Sequence, residues 1–212
     1  MHPVASAYRL DRFASGTIAV DGQPLAEPTP QLAMDRGMAF LTEDRRAEGL
    51  MMAAPIADNV ALASLPRFAT GFGRLLERTR LGDAVERTGR EVQVNARDFV
   101  QTLVKNLSGG NQQKVVIGKW LLRGPRLFIL DEPTRGIDVG AKYEVYKLIN
   151  RLAAEGTGVL MISSEIEELI GMCDRILVMG HGEIRGSFAR TQFDREAILR
   201  AAMWDGVKGA AA

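Results

Sequence analysis

Apolar positions along this chain follow one pattern before about residue 107 and another after it. Early on, residues 17–20 read as a short strand, and Asp21-Gly22 is a turn signal. Pro24, Pro28 and Pro30 then predict an irregular stretch. Residues 38–41 are a short apolar strand, and 43–49 (Glu43-Asp44-Arg45-Arg46-Ala47-Glu48-Gly49) a charged loop. Residues 56–106 are mostly helix-compatible, rich in Arg and Glu, and broken at Pro66 and Gly71-Phe72-Gly73. They predict a helical lobe.

From residue 107 the chain alternates strand and helix. Leu107-Ser108-Gly109-Gly110 opens a helix predicted to reach about Leu122. An apolar strand at 127–130 ends in Asp131-Glu132-Pro133. Helix 142–154 places Val145, Leu148, Ile149 and Leu152 on one face. A second strand at 158–162, a short helix at 165–171, a third strand at 175–179 and a hairpin partner at 183–188 follow. A terminal helix spans 194–204, with an Ala-rich end expected to fray. Apolar strands alternating with amphipathic helices predict a largely parallel α/β sheet.

Composition narrows the class. With 212 residues and 46% hydrophobic content, the chain can bury one sizeable core. A net charge of +1 offers no global field for nucleic acid or an anionic membrane, and no nucleic-acid partner is expected. The one cysteine, Cys173, excludes an internal disulfide. No apolar run approaches the ~20 residues of a membrane helix, and the first residues lack the apolar segment of a signal peptide. A cytosolic location is the expectation, with membrane contact only through a partner. His2 and His181 form no metal constellation with Cys173. Trp120 and Trp204 are expected in or near the core.

Two segments carry chemistry. In Leu107-Ser108-Gly109-Gly110-Asn111-Gln112-Gln113-Lys114 a serine and two glycines stand at a helix start. Glycines admit close backbone approach, and free N–H groups at the positive dipole end favour phosphate. An ordinary cap, with Ser108 capping and the glycines turning, is the better reading of those four residues alone. In Leu127-Phe128-Ile129-Leu130-Asp131-Glu132-Pro133-Thr134 an apolar strand ends in two carboxylates. Asp131 suits a Mg²⁺ ligand and Glu132 a group that polarises an attacking water. A strand ending at a solvated acidic turn is the alternative.

Together, in this order and spacing, the segments resemble the signature and Walker B motifs of the ATP-binding-cassette (ABC) family. Thr134-Arg135-Gly136-Ile137-Asp138 resembles its D-loop, with Asp138 as the key acid. The likeness runs from about Asp11 to near Gly180. With Thr42-Glu43-Asp44-Arg45-Arg46, Asp58-Asn59 and Ser163-Ser164-Glu165, it narrows to the C-terminal cassette of the ribose, galactose and xylose importers. The resemblance implies a P-loop NTPase-like α/β fold, with its core at 1–55 and 107–190, the lobe at 56–106 and a tail at 191–212. It implies ATP and Mg²⁺ as cofactors, with Ser108, Gly109, Gly110, Gln112, Asp138, Glu43 and Ser164 at nucleotide sites, Asp131 on the metal and Glu132 catalytic. The partners implied are a second cassette with an intact Walker A loop, membrane permease subunits and, indirectly, a sugar-binding protein. The permease-facing segments would be 43–49 and 58–65, at the inner face of the cell membrane.

The sequence departs from a working ATPase of that family. No Gly-x-x-x-x-Gly-Lys-Ser/Thr occurs within it, and residues 1–10 contain no glycine. Neither the amide cradle for phosphate nor the lysine that neutralises it is present, so the chain is expected to begin after Walker A and to be inactive alone. Glu43 stands in place of the Q-loop glutamine and Ser164 in place of the switch histidine. A carboxylate near a γ-phosphate repels it, and serine cannot act as imidazole does. In this fold the signature helix serves the partner's nucleotide, so the chain keeps the donating surface and lacks most of the accepting one. The P-loop strand and helix are expected to be missing, leaving strand 158–162 with an unpaired edge. Unpaired buried backbone groups cost ~1–3 kcal/mol each, which predicts marginal stability in isolation. A soluble non-transport ABC protein and a non-catalytic remnant are the alternative readings.

Overall fold

The computed structural model describes residues 16–20, 22–24, 29–71 and 73–203. Trp204, His2 and the first ten residues lie outside these. The chain divides into two compact units, one ending at Ile162 and the other beginning at Ser163. The second unit thus begins before the expected tail at 191.

The first unit opens with two-residue strands β1 (Ala19–Val20) and β2 (Gln23–Pro24), paired antiparallel. Helix α1 (Pro30–Asp35) follows where the prolines predict irregular chain. Its cause is local. Thr29 accepts the Leu32 N–H in a side-chain cap, and Pro30 sits at the first helical position, where its missing N–H costs nothing. Strand β3 (Met38–Leu41) is buried throughout.

Residues 45–49 form a wide helical turn (Arg45–Gly49) rather than a loop, because the Asp44 carboxylate accepts both the Arg46 and Ala47 N–H groups. The lobe then holds α2 (Ile56–Ala61), a 3₁₀ stretch Leu62–Phe68, a small hairpin of β4 (Ala69–Thr70) and β5 (Leu75–Leu76), and α3 (Arg78–Glu91). The hairpin occupies the glycine-containing break; Gly71, at φ 71°, makes its turn possible.

Helix α4 (Gly109–Leu121) leads to β6 (Leu127–Asp131), α5 (Val139–Ala154) and β7 (Gly158–Ile162). The parallel sheet has the order β3-β6-β7, with Leu41 beside Leu130 and Asp131 beside Ile162. Phe128, Ile129 and Leu130 are fully buried in the core, as are Ile117, Val145 and Leu152. Trp120 is buried as expected. Strand β7 pairs with β6 alone among the described strands, and Leu160 at its centre is 44% exposed.

In the second unit, α6 (Ile166–Met172) precedes β8 (Arg175–Gly180), β9 (Glu183–Ala189) and α7 (Arg195–Met203). The expected third strand, β8, does not extend the parallel sheet. It pairs only with β9, antiparallel, among the described strands. The residues give the reason. Ile176 and Val178 are buried while Leu177 and Met179 are exposed, the period-two pattern of a sheet covered on one face. His181 and Gly182 both take positive φ, 49° and 81°, as the tight hairpin turn requires. Ile176, Val178 and Ile198 form this unit's core, with Phe188 and Cys173 against it.

Candidate functional site

Helix α4 begins at an exposed serine. The Ser108 hydroxyl accepts from the Asn111 backbone N–H at 3.4 Å and from its side-chain amide at 3.1 Å, and Asn111 in turn accepts the Asn95 N–H at 2.9 Å. The cap is therefore real, and it coexists with first-turn amides at Gly109 and Gly110 that have no acceptor one turn earlier.

The two glycines are required by packing within the chain. A β-carbon on Gly109 would lie 3.1 Å from the Gly136 carbonyl oxygen and 3.0 Å from the Arg45 guanidinium. One on Gly110 would meet the Ala141 side chain. The signature tip is thus pressed against the 135–137 loop and the start of α5, and Gly110 is buried there. Gln112, expected at the nucleotide, does not reach the surface. It is 1% exposed, and its amide donates to the Leu107 carbonyl at 3.1 Å and the Val104 carbonyl at 3.4 Å. It holds the backbone that leads into the tip.

Asp138 caps α5: its carboxylate accepts the Ala141 N–H at 2.9 Å, which is why the helix starts at Val139 and not at 142. Beyond the cap, Val139 is 85% exposed and Tyr143, one turn on, is also exposed.

Asp131 ends β6 with its side chain buried to 7% exposure. Glu132 follows with φ 46°, a left-handed conformation uncommon for a residue with a side chain. Its N–H donates to the Ile162 carbonyl at 2.9 Å and its carbonyl accepts the Arg135 N–H at 3.1 Å, so a tight turn on both sides fixes it. Strain of this kind costs of order 1–3 kcal/mol.

Glu43 and Arg135 form an ion pair. Together with Asp44, Arg45 and Arg46 they line an open cleft of about 490 Å³. The Glu43 carboxylate is therefore neutralised within the chain. Ser164, at the switch position, lies in the second unit, exposed, just before α6.

Sequence reasoning missed Arg45. Its two terminal nitrogens donate to consecutive backbone carbonyls, Arg135 at 2.8 Å and Gly136 at 3.2 Å. Burial, reinforced by Arg46, lowers its pKa and is partly offset by Asp44. It also missed Lys119, buried to 8% exposure, whose ammonium donates to the Gly49 carbonyl at 2.7 Å. Asn59, expected on the permease-facing segment, is buried. It exchanges hydrogen bonds with the Met51 backbone, donating at 3.0 Å and accepting at 2.7 Å, and so secures the 51–55 connection.

A three-stranded parallel sheet with a serine-glycine helix tip and a strand ending in paired carboxylates defines a nucleotide-binding cassette of P-loop NTPase type. Residues 5–135 match the family described as ABC transporter, and the chain belongs to that family. It is 47% identical over 195 residues to the ribose import ATP-binding protein RbsA 1 of Rubrobacter xylanophilus, covering 91% of this chain and 38% of that protein. It is also 47% identical over 191 residues to a putative ribose/galactose/methyl galactoside import ATP-binding protein 3 of Burkholderia cenocepacia, covering 89% of this chain and 36% of that one. The chain thus spans less than two fifths of these relatives. Among solved structures, the ATP-binding cassette MJ0796 in a dimeric post-hydrolysis state with ADP and Pi superposes with a TM-score of 0.74 at 19% identity, over 90% of this chain and 80% of that one. The cbiO1 protein of Clostridium perfringens superposes at 0.73 and 18%, over 93% and 75%. At these identities the likeness is one of fold.

Proposed function

We propose that the chain is the ATP-binding part of an ABC importer that energises monosaccharide uptake. It lends the tip formed by Ser108, Gly109 and Gly110 to ATP held on a second cassette with an intact Walker A loop. The observation that carries this reading is the exposed serine-capped start of α4, backed by the 135–138 loop. The 47% identity to ribose import proteins supports the transport assignment.

The residues fit a donating role better than an accepting one. A magnesium ion in such sites takes one or two carboxylates and completes its shell with phosphate oxygens and water. Asp131 would be the ligand here and Glu132 the carboxylate nearest the water. No group of three or more His, Cys, Asp or Glu side chains gathers among the described residues, and no lysine-bearing loop is present to bring the phosphates. The pair suits Mg-ATP only if a phosphate cradle comes from elsewhere, so no hydrolytic step is assigned to this chain alone. Asp138 reaches toward the partner.

The docking faces for the permease are the exposed residues of 43–49 and, within 58–65, Asp58 and Leu62, since Asn59, Val60, Ala61 and Ser64 there are buried; a sugar-binding protein acts through that permease. No helix among the described residues is long and apolar enough to cross a membrane, which fits attachment at the cytoplasmic face through the permease.

The test is phosphate release by an ATP-binding cassette with an intact Walker A loop, measured with added chain. Stimulation by the wild-type chain that disappears with Ser108→Arg supports the reading. Equal rates with and without the chain would mark it as a non-catalytic binding remnant.

A further inference from the structure

The 45–49 turn is fastened at both ends to the donating surface. At its start, the Arg45 guanidinium straddles the Arg135 and Gly136 carbonyls, residues 90 and 91 positions away. Its outer nitrogen also lies 3.0 Å from where a Gly109 β-carbon would stand, so it fills the space between the signature tip and the 135–137 loop. At its end, the Gly49 carbonyl accepts from Lys119 on α4, and Gly49 packs on Val116 of the same helix. The Glu43–Arg135 ion pair ties in Glu43, two residues before the turn.

We propose that Arg45 is a positioning residue that sets the 135–138 loop against the signature tip, so that the 43–49 segment, α4 and the loop move as one body. The inference rests on the trans-donation reading above and adds to it the route by which a partner docked on 43–49 acts on the tip. A planar guanidinium can hold two consecutive carbonyls at once, whereas an ammonium is a single compact point of charge. Arg45→Lys therefore keeps the charge and loses half of the grip.

Two measurements test it. The first is amide hydrogen exchange on the full chain, without nucleotide. The Arg135 N–H is bonded to the Glu132 carbonyl and the Ala141 N–H to Asp138, so both report on the loop. Arg45→Ala is expected to speed exchange at 135–141 about tenfold or more, while β6 and residues 145–152 of α5 stay within about twofold. Arg45→Lys is expected to fall between, and it serves alone if Arg45→Ala does not fold. Unchanged exchange at 135–141, or the same acceleration everywhere, overturns the proposal.

The second is the maximal ATPase rate of a Walker A-competent cassette titrated to saturation with chain. Saturation compensates for a lower folded fraction, so a merely structural loss leaves the plateau unmoved. Arg45→Ala is expected to lower the plateau about tenfold with the ATP KM within about twofold, and Arg45→Lys to restore part of it. A plateau within about twofold of wild type overturns the proposal. If the wild-type chain gives no stimulation, the donation reading fails, and the exchange experiment still decides whether Arg45 holds the loop.

Discussion

Gly110 and Ala141 touch where the signature helix meets α5: a β-carbon added to Gly110 would lie 2.4 Å from that of Ala141. Real β-carbons do not approach so closely, so one of the two helices must shift if Gly110 gains a side chain. Gly110→Ala is expected to lower stability by about 1–3 kcal/mol and to dislodge the tip. Ala141→Gly in the same chain makes the room back. Urea unfolding of the two single variants and the double should give a favourable coupling of about 0.5–3 kcal/mol. Simple additivity would mean that the glycine is not there for this contact.

Asp138 is a helix cap in the structure and, on the proposed reading, also an acid that reaches toward a partner, and substitution separates the two. As a cap it is replaceable by serine, so Asp138→Ser should hold stability within about 0.5 kcal/mol and Asp138→Ala should lose about 1 kcal/mol. As an acid reaching toward a partner it is replaceable by neither. Both variants should therefore fail to stimulate a partner cassette, even though only one is destabilised. Normal stimulation by Asp138→Ser would leave the residue as a cap alone.

Lys119 makes stability rise with pH. Burial holds its pKa down from 10.5 to about 8, despite the Gly49 carbonyl at 2.7 Å. Between those values the unfolded chain binds a proton that the folded chain has released, so unfolding becomes harder as pH climbs through that window. Below about 8 both forms are charged and the full penalty is present, on the order of 3 kcal/mol. Lys119→Met removes the titration. The stability of wild type minus that of the variant should increase by roughly 3 kcal/mol between pH 7 and 10.5 in denaturant melts. A difference that stays flat with pH would contradict the buried ammonium.

What could be read from the residues was whatever local rules govern. Strands at 38–41 and 158–162 coincide with β3 and β7, and the helix from Gly109 lies within the expected limits. Helix α1 is hidden in the sequence because proline reads as a breaker, whereas Pro30 occupies the one helical position that welcomes it. Strand β8 reads as part of the main sheet because an apolar run does not reveal how many of its faces are covered. In the candidate site, Ser108, Gly109 and Gly110 were visible as a motif, but their packing against Gly136 and Ala141 was not. Arg45 and Lys119 reach partners 90 and 70 positions away, and no periodicity carries that information. One local sign did exist for the 45–49 turn: Asp44 sits where an N-cap acid would.

The proposal's central claim is that the Ser108-Gly109-Gly110 tip serves ATP held on a second cassette, so the 212 residues by themselves hold no triphosphate. Equilibrium binding of Mg-ATP to the purified chain, followed by steady phosphate release from the same sample, tests it most directly. The account predicts no saturable binding at millimolar ATP and no turnover above buffer. Saturable binding in the micromolar range with steady hydrolysis by the chain alone would contradict it.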